Sequence, residues 1–267
     1  MRLYAILVYS FLYLPIGIIA LFSFSAGRSA SQLQGISLKW YGRALNNPFV
    51  MEALWTSVKI AFVSAVLASI VGTLAALALT GMRGRVRKAF DLMIHIAVMI
   101  PGIVIGIATL IALVSVFDIV NPWLESVSGY RLSMGFGSLI AAHGLFTMSL
   151  VVLLVRGRME TLDRALIEAS GDLGASPLST FRQVTLPLIT PAILAGFLLS
   201  FTFSFDDFIV AFFVAGSETT LPIYVFSSIR RGVTPEINAI GTMVMVASLG
   251  VLIVAQLMLR RGNAKRT

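Results

Sequence analysis

The sequence predicts an all-α, polytopic membrane protein, and two observations support this fold class. Of the 267 residues, 58% are hydrophobic and 12% are charged, whereas about 25% of the residues in a soluble domain are charged. The apolar residues also gather into six stretches, each close to the roughly 20 residues with which a helix crosses a bilayer. Because a helix satisfies its own backbone hydrogen bonds in lipid, we interpret each stretch as a transmembrane helix. The six predicted helices cover residues 3–24, 58–79, 90–117, 134–155, 188–214 and 237–259.

The first stretch is predicted to remain as a helix and not to be cleaved as a signal peptide. Arg2 precedes it and a segment of small residues, 25–27, follows it, as processing would require. The apolar core of a secretory signal, however, is only about 7 to 15 residues long. Residues 3–24 exceed that length, so we expect a retained helix.

Basic residues predict the orientation of these helices, because cytoplasmic connections carry an excess of Lys and Arg. With the N-terminus inside, thirteen of the 20 basic residues fall on the cytoplasmic side. Both termini and the connection at residues 160–187 are then expected to be cytoplasmic. The basic residues counted there are Arg2, Arg83, Arg85, Arg87, Lys88, Arg156, Arg158, Arg164, Arg182, Arg260, Arg261, Lys265 and Arg266.

Composition argues against several other functions. The basic residues are dispersed at the ends of apolar stretches, so nucleic acid is not an expected partner. Cysteine is absent and His95 and His143 are the only histidines, which leaves no thiolate or histidine-rich metal site. No lysine follows a glycine, so the phosphate-binding loop of ATPases is missing. We therefore expect no cofactor on this chain, no enzymatic activity of its own, and one domain over residues 1–267.

The cytoplasmic connection has the pattern of two short helices. Apolar residues from Leu162 to Leu173 recur every three to four positions and share one helical face. Gly174 suits the left-handed conformation that ends a helix, and Ser176 as N-cap with Pro177 at the first helical position begins the next one. Such an element can dock into a groove of a partner protein. The simpler alternative is an amphipathic connector at the membrane surface.

The fifth stretch contains two adjacent acidic residues, Asp206 and Asp207. A carboxylate near the centre of a membrane helix costs roughly 2.5 to 3.5 kcal/mol on insertion scales, so it usually faces a cavity or a partner. One interpretation is that one or both line a translocation path for a cation, although adjacent helical residues diverge by about 100° and at most one faces the path squarely. The alternative is a structural role. The residues that would serve as structural partners are Arg230, Arg231, Ser200, Thr202 and Ser204.

The sequence EASGDLGASPLSTFRQVTLP, residues 168–187, resembles the EAA signature with which permeases of binding-protein-dependent ABC importers engage their ATPase. Serine at the third position replaces the usual alanine, and Val184 replaces isoleucine, but both keep the size class. The resemblance implies that this segment couples the chain to an ATPase. The residues that carry it are Glu168, Ala169, Ser170, Gly174, Val184, Leu186 and Pro187.

Residues 199–244, which include FSFDDFIVAFFVAG and LPIYVFSSIRRGVTPEINAI, resemble the permeases of spermidine/putrescine importers, and the similarity extends over nearly the whole chain. The resemblance implies a type I ABC importer permease fold in the bacterial inner membrane. It also implies three partners: a second, homologous permease in a heterodimer, a dimeric cytoplasmic ATPase that holds ATP and Mg, and a periplasmic binding protein. The implied cargo is a polyamine.

Three alternatives remain at this point. The same importer architecture serves other solutes, such as another amine, an amino-acid-like compound or an opine. An ion-coupled secondary carrier also has charged residues inside its helices, but it commonly shows paired halves, and the sequence has no such internal symmetry. A structural membrane anchor would need neither the signature nor the acidic pair.

Overall fold

The computed structural model describes residues 2–28 and 32–264, and these residues are largely helical. Their only extended pairing is an isolated antiparallel bridge between Ser25 and Ile36. The predicted all-α fold class is therefore confirmed for this part of the chain. The α-helices, in chain order, are α1 (Arg2–Ser23), α2 (Lys39–Asn46), α3 (Pro48–Gly81), α4 (Gly84–Met99), α5 (Gly102–Ser128), α6 (Phe136–Glu160), α7 (Arg164–Asp172), α8 (Pro177–Thr180), α9 (Leu186–Asp206), α10 (Ile209–Val214), α11 (Leu221–Arg231) and α12 (Pro235–Ala264).

Within the described residues, five helical segments are long and apolar enough to cross a membrane. Helix α1 matches the first predicted stretch and accommodates Pro15 in its interior. Helix α3 contains the second stretch but is 34 residues long, which is about 51 Å at 1.5 Å per residue and exceeds the roughly 30 Å of hydrocarbon. Helix α6 contains most of the fourth stretch and continues to Glu160.

The sixth predicted stretch, residues 237–259, lies within α12. Most side chains from residue 251 onward fall outside the described ones. A sixth transmembrane helix therefore stays a prediction, and so does the cytoplasmic location of the two termini.

The third predicted stretch, residues 90–117, is not one helix. Helices α4 and α5 are separated at Pro101, because proline lacks a backbone N–H and drives the preceding residue out of the helical conformation. Ile100 is accordingly extended, with φ −66° and ψ 133°. The apolar helix at this position is α5, which runs from Gly102 to Ser128, so both predicted boundaries are wrong.

The fifth predicted stretch, residues 188–214, is interrupted as well. Its helix begins earlier, because α8, a π-helical turn at Phe181–Thr185 and α9 form one helical run, Pro177–Asp206. The run ends where Asp207 becomes extended, with ψ 121°, and the helical structure resumes in α10. The prediction that both aspartates lie inside one helix is therefore wrong, since the pair lies at a helix end.

The chain forms two compact units, Met1–Trp55 with Leu221–Thr267 and Thr56–Thr220, and the single domain stays a prediction. In the first unit, α1 and α2 pack against α12. The buried Trp40 donates a hydrogen bond from Nε1 to the carbonyl oxygen of Ser25 at 2.8 Å. Arg43 of α2 pairs with Glu236 of α12, with 3.3 Å between Nε and Oε2.

In the second unit, α6 packs against α3 and α9 through small residues. A Cβ atom added to Gly72 of α3 would lie 2.8 Å from the Cβ of Val151, and one added to Gly196 of α9 would lie 3.3 Å from the same side chain. Small residues allow membrane helices to approach this closely and to gain van der Waals contact. The buried cluster at this contact consists of Ala68, Ala76, Leu79, Val151, Val152, Val155 and Ile189.

Candidate functional site

The first candidate site is the segment between the end of α6 and the start of α9, which we call the connecting element (residues 160–187). Its first helix, α7, has Asp163 as its N-cap. The Asp163 carboxylate accepts a hydrogen bond from the backbone N–H of Ala165, with 2.9 Å between Oδ1 and N. Because the first N–H groups of a helix lack partners within it, this bond stabilises the start of α7.

The end of α7 is built around Gly174, whose φ is +80°. Its N–H donates to the carbonyl oxygen of Gly171 at 2.9 Å, and the N–H of Ala175 donates to that of Ser170 at 3.1 Å. This pair of bonds is the Schellman arrangement, which requires a left-handed residue after the helix. The prediction that the first helix ends at the glycine turn is confirmed.

The second helix of the connecting element begins as predicted but does not remain separate. Ser176 is the N-cap, and its Oγ accepts a hydrogen bond from the N–H of Ser179 at 3.3 Å, with Pro177 at the first helical position. Helix α8 then continues through the π-helical turn, in which the N–H of Leu186 donates to the carbonyl oxygen of Phe181. Since α8 and α9 form one helical run, a displacement of α8 acts directly on α9.

Two hydrogen bonds stabilise the connecting element and the two long helices that flank it. The hydroxyl groups of Ser170 and Thr180 are 2.9 Å apart and join α7 to α8. Arg158, near the end of α6, donates from Nε to the carbonyl oxygen of Leu188 in α9 at 3.1 Å. The second bond therefore joins the two helix ends between which the connecting element lies.

The seven predicted signature residues divide into an exposed and a packed group. Glu168, Ala169 and Gly174 are exposed. In the same element, the side chains of Leu173 and Leu178 are 88% and 75% exposed, so the element exposes a carboxylate and two large apolar residues. The half-buried members of the signature are Ser170, Val184, Leu186 and Pro187.

The apolar face predicted for α7 is only partly covered by the described chain. Leu162, just before the helix, packs against the buried cluster between α3, α6 and α9. Leu166 is 48% exposed, and exposure is greater at Leu173. Exposed large apolar side chains rimmed by polar residues are typical of a surface that contacts another protein or a membrane.

Four charged residues form a network between α4 and the end of α6. Arg156 pairs with Asp91 and also with Glu160, with 3.1 Å between Nε and Oε1. Arg87 lies 3.9 Å from the Asp91 carboxylate and 3.7 Å from that of Glu160. Each carboxylate thus has two guanidinium partners, and the network holds α4 beside the start of the connecting element.

The second candidate site is a cavity of about 280 Å³ beside the end of α9. Asp206, Asp207 and Thr202 line it, together with the aromatic side chains of Phe146 and Phe203. The centroids of the two rings are 6.2 Å apart in an edge-on arrangement. Carboxylates next to aromatic rings suit an ammonium group, because a cation is attracted both by opposite charge and by the ring face.

The two carboxylates of this cavity differ in their surroundings. Asp206 is exposed, and among the described residues none forms a hydrogen bond or ion pair with its carboxylate. The Asp207 side chain is 15% exposed. Its Oδ2 accepts a hydrogen bond from the N–H of Ala211 at 3.0 Å and lies 3.6 Å from Nε2 of His143. Only Asp206 is open to an incoming group.

His143 connects the cavity to the contact between α6 and α9. It is buried, and its Nδ1 lies 2.7 Å from Oγ of Ser204. Thr147, one turn along α6, donates to the carbonyl oxygen of His143 at 2.7 Å, while its own carbonyl oxygen accepts from Ser200 at 3.4 Å. Ser204, one of the structural partners considered for the aspartates, therefore pairs with His143.

Several residues of both sites could not be predicted from the sequence. Thr180, Arg158 and the Asp91 network show no motif, because their partners lie up to 65 positions away in the chain. His143 and Asp207 are likewise far apart in sequence. A polar residue inside an apolar stretch is the one signal that marks His143 beforehand.

Known proteins support one family assignment. Residues 68–265 match the family model described as "Binding-protein-dependent transport system inner membrane component". The chain is 40% identical over 96% of its length to the spermidine/putrescine transport system permease protein PotC of Haemophilus influenzae, of which 95% is covered. It is 36% identical to the putrescine transport system permease protein PotI of Escherichia coli (strain K12), with 98% of this chain and 91% of that protein covered.

Solved structures show the same fold. A chain of the bacterial ABC transporter involved in import of the acidic polysaccharide alginate superposes with a TM-score of 0.74 at 18% identity, covering 97% of this chain and 95% of that one. A chain of the MetNI methionine ABC transporter in an inward-facing conformation gives a TM-score of 0.61 at 16% identity. The superposition covers 80% of this chain and 98% of that one. The expected resemblance is thereby confirmed: the chain belongs to the family of binding-protein-dependent transport system inner membrane components.

Proposed function

We propose that this chain is a permease subunit of an ATP-driven polyamine importer in the bacterial inner membrane, and that it forms half of the translocation path. The observation that carries the proposal is the acidic, aromatic cavity at Asp206 and Asp207, in a chain that is 40% identical to a spermidine/putrescine permease. Polyamines are chains of ammonium groups joined by short apolar linkers. A cavity lined by both carboxylates and aromatic rings complements both parts of such a molecule.

The acidic pair is the substrate-path site of this proposal. A carboxylate attracts a cation far more strongly in a low-dielectric path than in bulk water. The cavity is open, so it suits a group in transit better than a tightly held ligand. Affinity and choice of solute then rest largely on the binding protein that delivers the cargo.

The connecting element is the ATPase-coupling site of this proposal. Glu168, Ala169 and Gly174 are exposed beside Leu173 and Leu178, which suits docking into a groove of a cytoplasmic ATPase dimer. ATP and Mg bind to that partner. When the ATPase closes, α7 and α8 move together, and the continuous run from α8 into α9 carries the movement to the cavity.

The other partners follow from the same architecture. A second, homologous permease supplies the other half of the path, and a heterodimer is our expectation. A periplasmic solute-binding protein delivers the polyamine. One of the solved neighbours is a bacterial alginate ABC transporter in complex with a periplasmic protein bound to an alginate pentasaccharide.

Uptake of labelled putrescine and spermidine tests the cargo. Cells that lack this chain, with the neighbouring transporter subunits intact and other polyamine systems deleted, are compared with cells in which the chain is restored. We expect uptake only in the restored cells. Equal uptake in both strains, with the chain present in the membrane, contradicts a polyamine cargo and moves it to another amine, an amino-acid-like compound or an opine.

A further inference from the structure

We infer that His143 is a positioning residue: acting through Asp207, it fixes the turn between α9 and α10 so that Asp206 alone is presented to an ammonium group in the cavity. The inference rests on the proposed function for its cargo. It assigns different roles to Asp206 and Asp207, which line the same cavity but have different partners.

Asp207 has the contacts of a structural residue. It lies at the break between α9 and α10, in an extended conformation with ψ 121°. Its Oδ2 accepts a hydrogen bond from the N–H of Ala211, in the first turn of α10. The first N–H groups of a helix have no partner within it, so this carboxylate stabilises the start of α10 and fixes the bend of the chain.

His143 provides a second anchor for the same oxygen. Its side chain is 1% exposed, and its Nε2 has no hydrogen-bond partner but lies 3.6 Å from Oδ2 of Asp207. When the Ser204 hydroxyl donates to Nδ1, at 2.7 Å, the ring proton lies on Nε2 and faces the carboxylate. A movement of roughly 0.7 Å then closes a normal N–H···O hydrogen bond. A buried donor without a partner is costly, which favours that closure.

Asp206 is placed by this anchored turn. It is the last residue of α9, adjacent to Asp207, and its carboxylate has no such anchor among the described residues. It shares the cavity with Phe146 and Phe203. If the turn loosens, the carboxylate moves relative to both rings, and the ammonium subsite is no longer assembled.

Two conservative variants separate the two nitrogens of the ring. The amide of His143→Gln reaches toward Asp207, as Nε2 does, whereas the shorter amide of His143→Asn reaches only the Ser204 side. We measure polyamine uptake by the complete transporter in proteoliposomes. His143→Gln is expected to retain uptake within about twofold, while His143→Asn loses about tenfold, as for residues that are in direct contact. Equal losses in both variants overturn the inference.

A double-mutant cycle tests whether His143 acts through Asp207. In the Asp207→Asn background, His143→Asn is expected to cause little further loss, because the contact it breaks is already gone. If the two losses multiply, His143 acts independently of Asp207 and the inference is wrong. Asp206→Asn is expected to lower uptake at least as much as Asp207→Asn.

Carboxyl footprinting of the same proteoliposomes needs no cargo. A water-soluble carbodiimide with an amine nucleophile is expected to label Asp206 and to spare Asp207 in the unmodified chain and in His143→Gln. In His143→Asn, labelling of Asp207 should rise several-fold. If labelling of Asp207 is unchanged in His143→Asn, the positioning role is contradicted whatever the cargo is. If the labelling changes as expected but the transporter takes up no polyamine, only the proposed cargo is contradicted.

Discussion

The hydroxyl groups of Ser170 and Thr180 lie 2.9 Å apart and join the two short helices of the connecting element. Thr180 is buried, and Ser170 is half-buried. Ser170 occupies the position at which the EAA signature usually has alanine, so this chain has a side-chain link where the signature residue has none. The link holds α7 against α8.

Removing either hydroxyl is expected to lower stability. Thr180→Val keeps the side-chain shape but leaves the Ser170 hydroxyl without this partner. Ser170→Ala removes the other hydroxyl and leaves that of Thr180 without it. Each should lower the free energy of unfolding by about 0.5 to 1.5 kcal/mol, and the double variant should cost no more than the larger single loss. Thermal melting of the purified complex measures this.

Thr190→Val is the matched control for that series. Thr190 is exposed, and its hydroxyl donates to the carbonyl oxygen of Leu186 one turn back in the same helix, so its loss separates no helices. We expect little change in the melting temperature. Additive losses for Ser170→Ala and Thr180→Val would show that the two hydroxyls do not act as a pair.

Gly174→Ala is expected to disturb the turn between α7 and α8. At a φ of +80°, a side chain costs about 1 to 2 kcal/mol in the left-handed region. ATP-driven uptake should fall severalfold while membrane insertion is unchanged. The control is Gly157→Ala, since a Cβ there meets nothing within 4 Å and its φ is not in the left-handed region. Equal effects of the two variants would contradict this account.

Glu168→Lys is expected to uncouple the transporter. The side chain is exposed, so the chain should fold and insert normally, but a reversed charge at a partner surface costs several kcal/mol, which lowers uptake by about a hundredfold or more. The measurement combines uptake with ATP hydrolysis by the reconstituted complex. Glu125→Lys, an equal charge reversal at the exposed end of α5, should leave both unchanged. Normal uptake by the Glu168→Lys variant would contradict the proposed coupling role.

Gly72→Ala is expected to separate α3 from α6. The added Cβ would lie 2.8 Å from the Cβ of Val151 and 3.0 Å from the carbonyl oxygen of Met148, and neither neighbour is the end of a flexible side chain. Such overpacking should cost about 1 to 3 kcal/mol, seen as a lower melting temperature. Gly137→Ala places its Cβ in open space and should have little effect. Similar melting temperatures for both would show that α3 has room to move.

The sequence predicts the connecting element well because its signals are local. Gly174 ends α7 and Ser176 caps α8 through bonds to residues a few positions away, and such bonds follow from residue type. Prediction is weaker at the long apolar segments. Hydropathy detects a run of apolar residues but not a change of backbone direction. It therefore predicts one helix for residues 90–117 and one for residues 188–214, although a break interrupts each of them.

The sequence by itself determines that the chain is helical, rich in membrane-length apolar helices, and a member of its transporter family. These properties depend on composition, helix-terminal residues and a motif of fixed spacing, all of which are local features of the sequence. Only the tertiary structure decides that Asp207 faces His143 while Asp206 remains open to the cavity. Adjacent residues of identical chemistry differ only through partners brought from other helices, and helix packing, not local sequence, selects those partners.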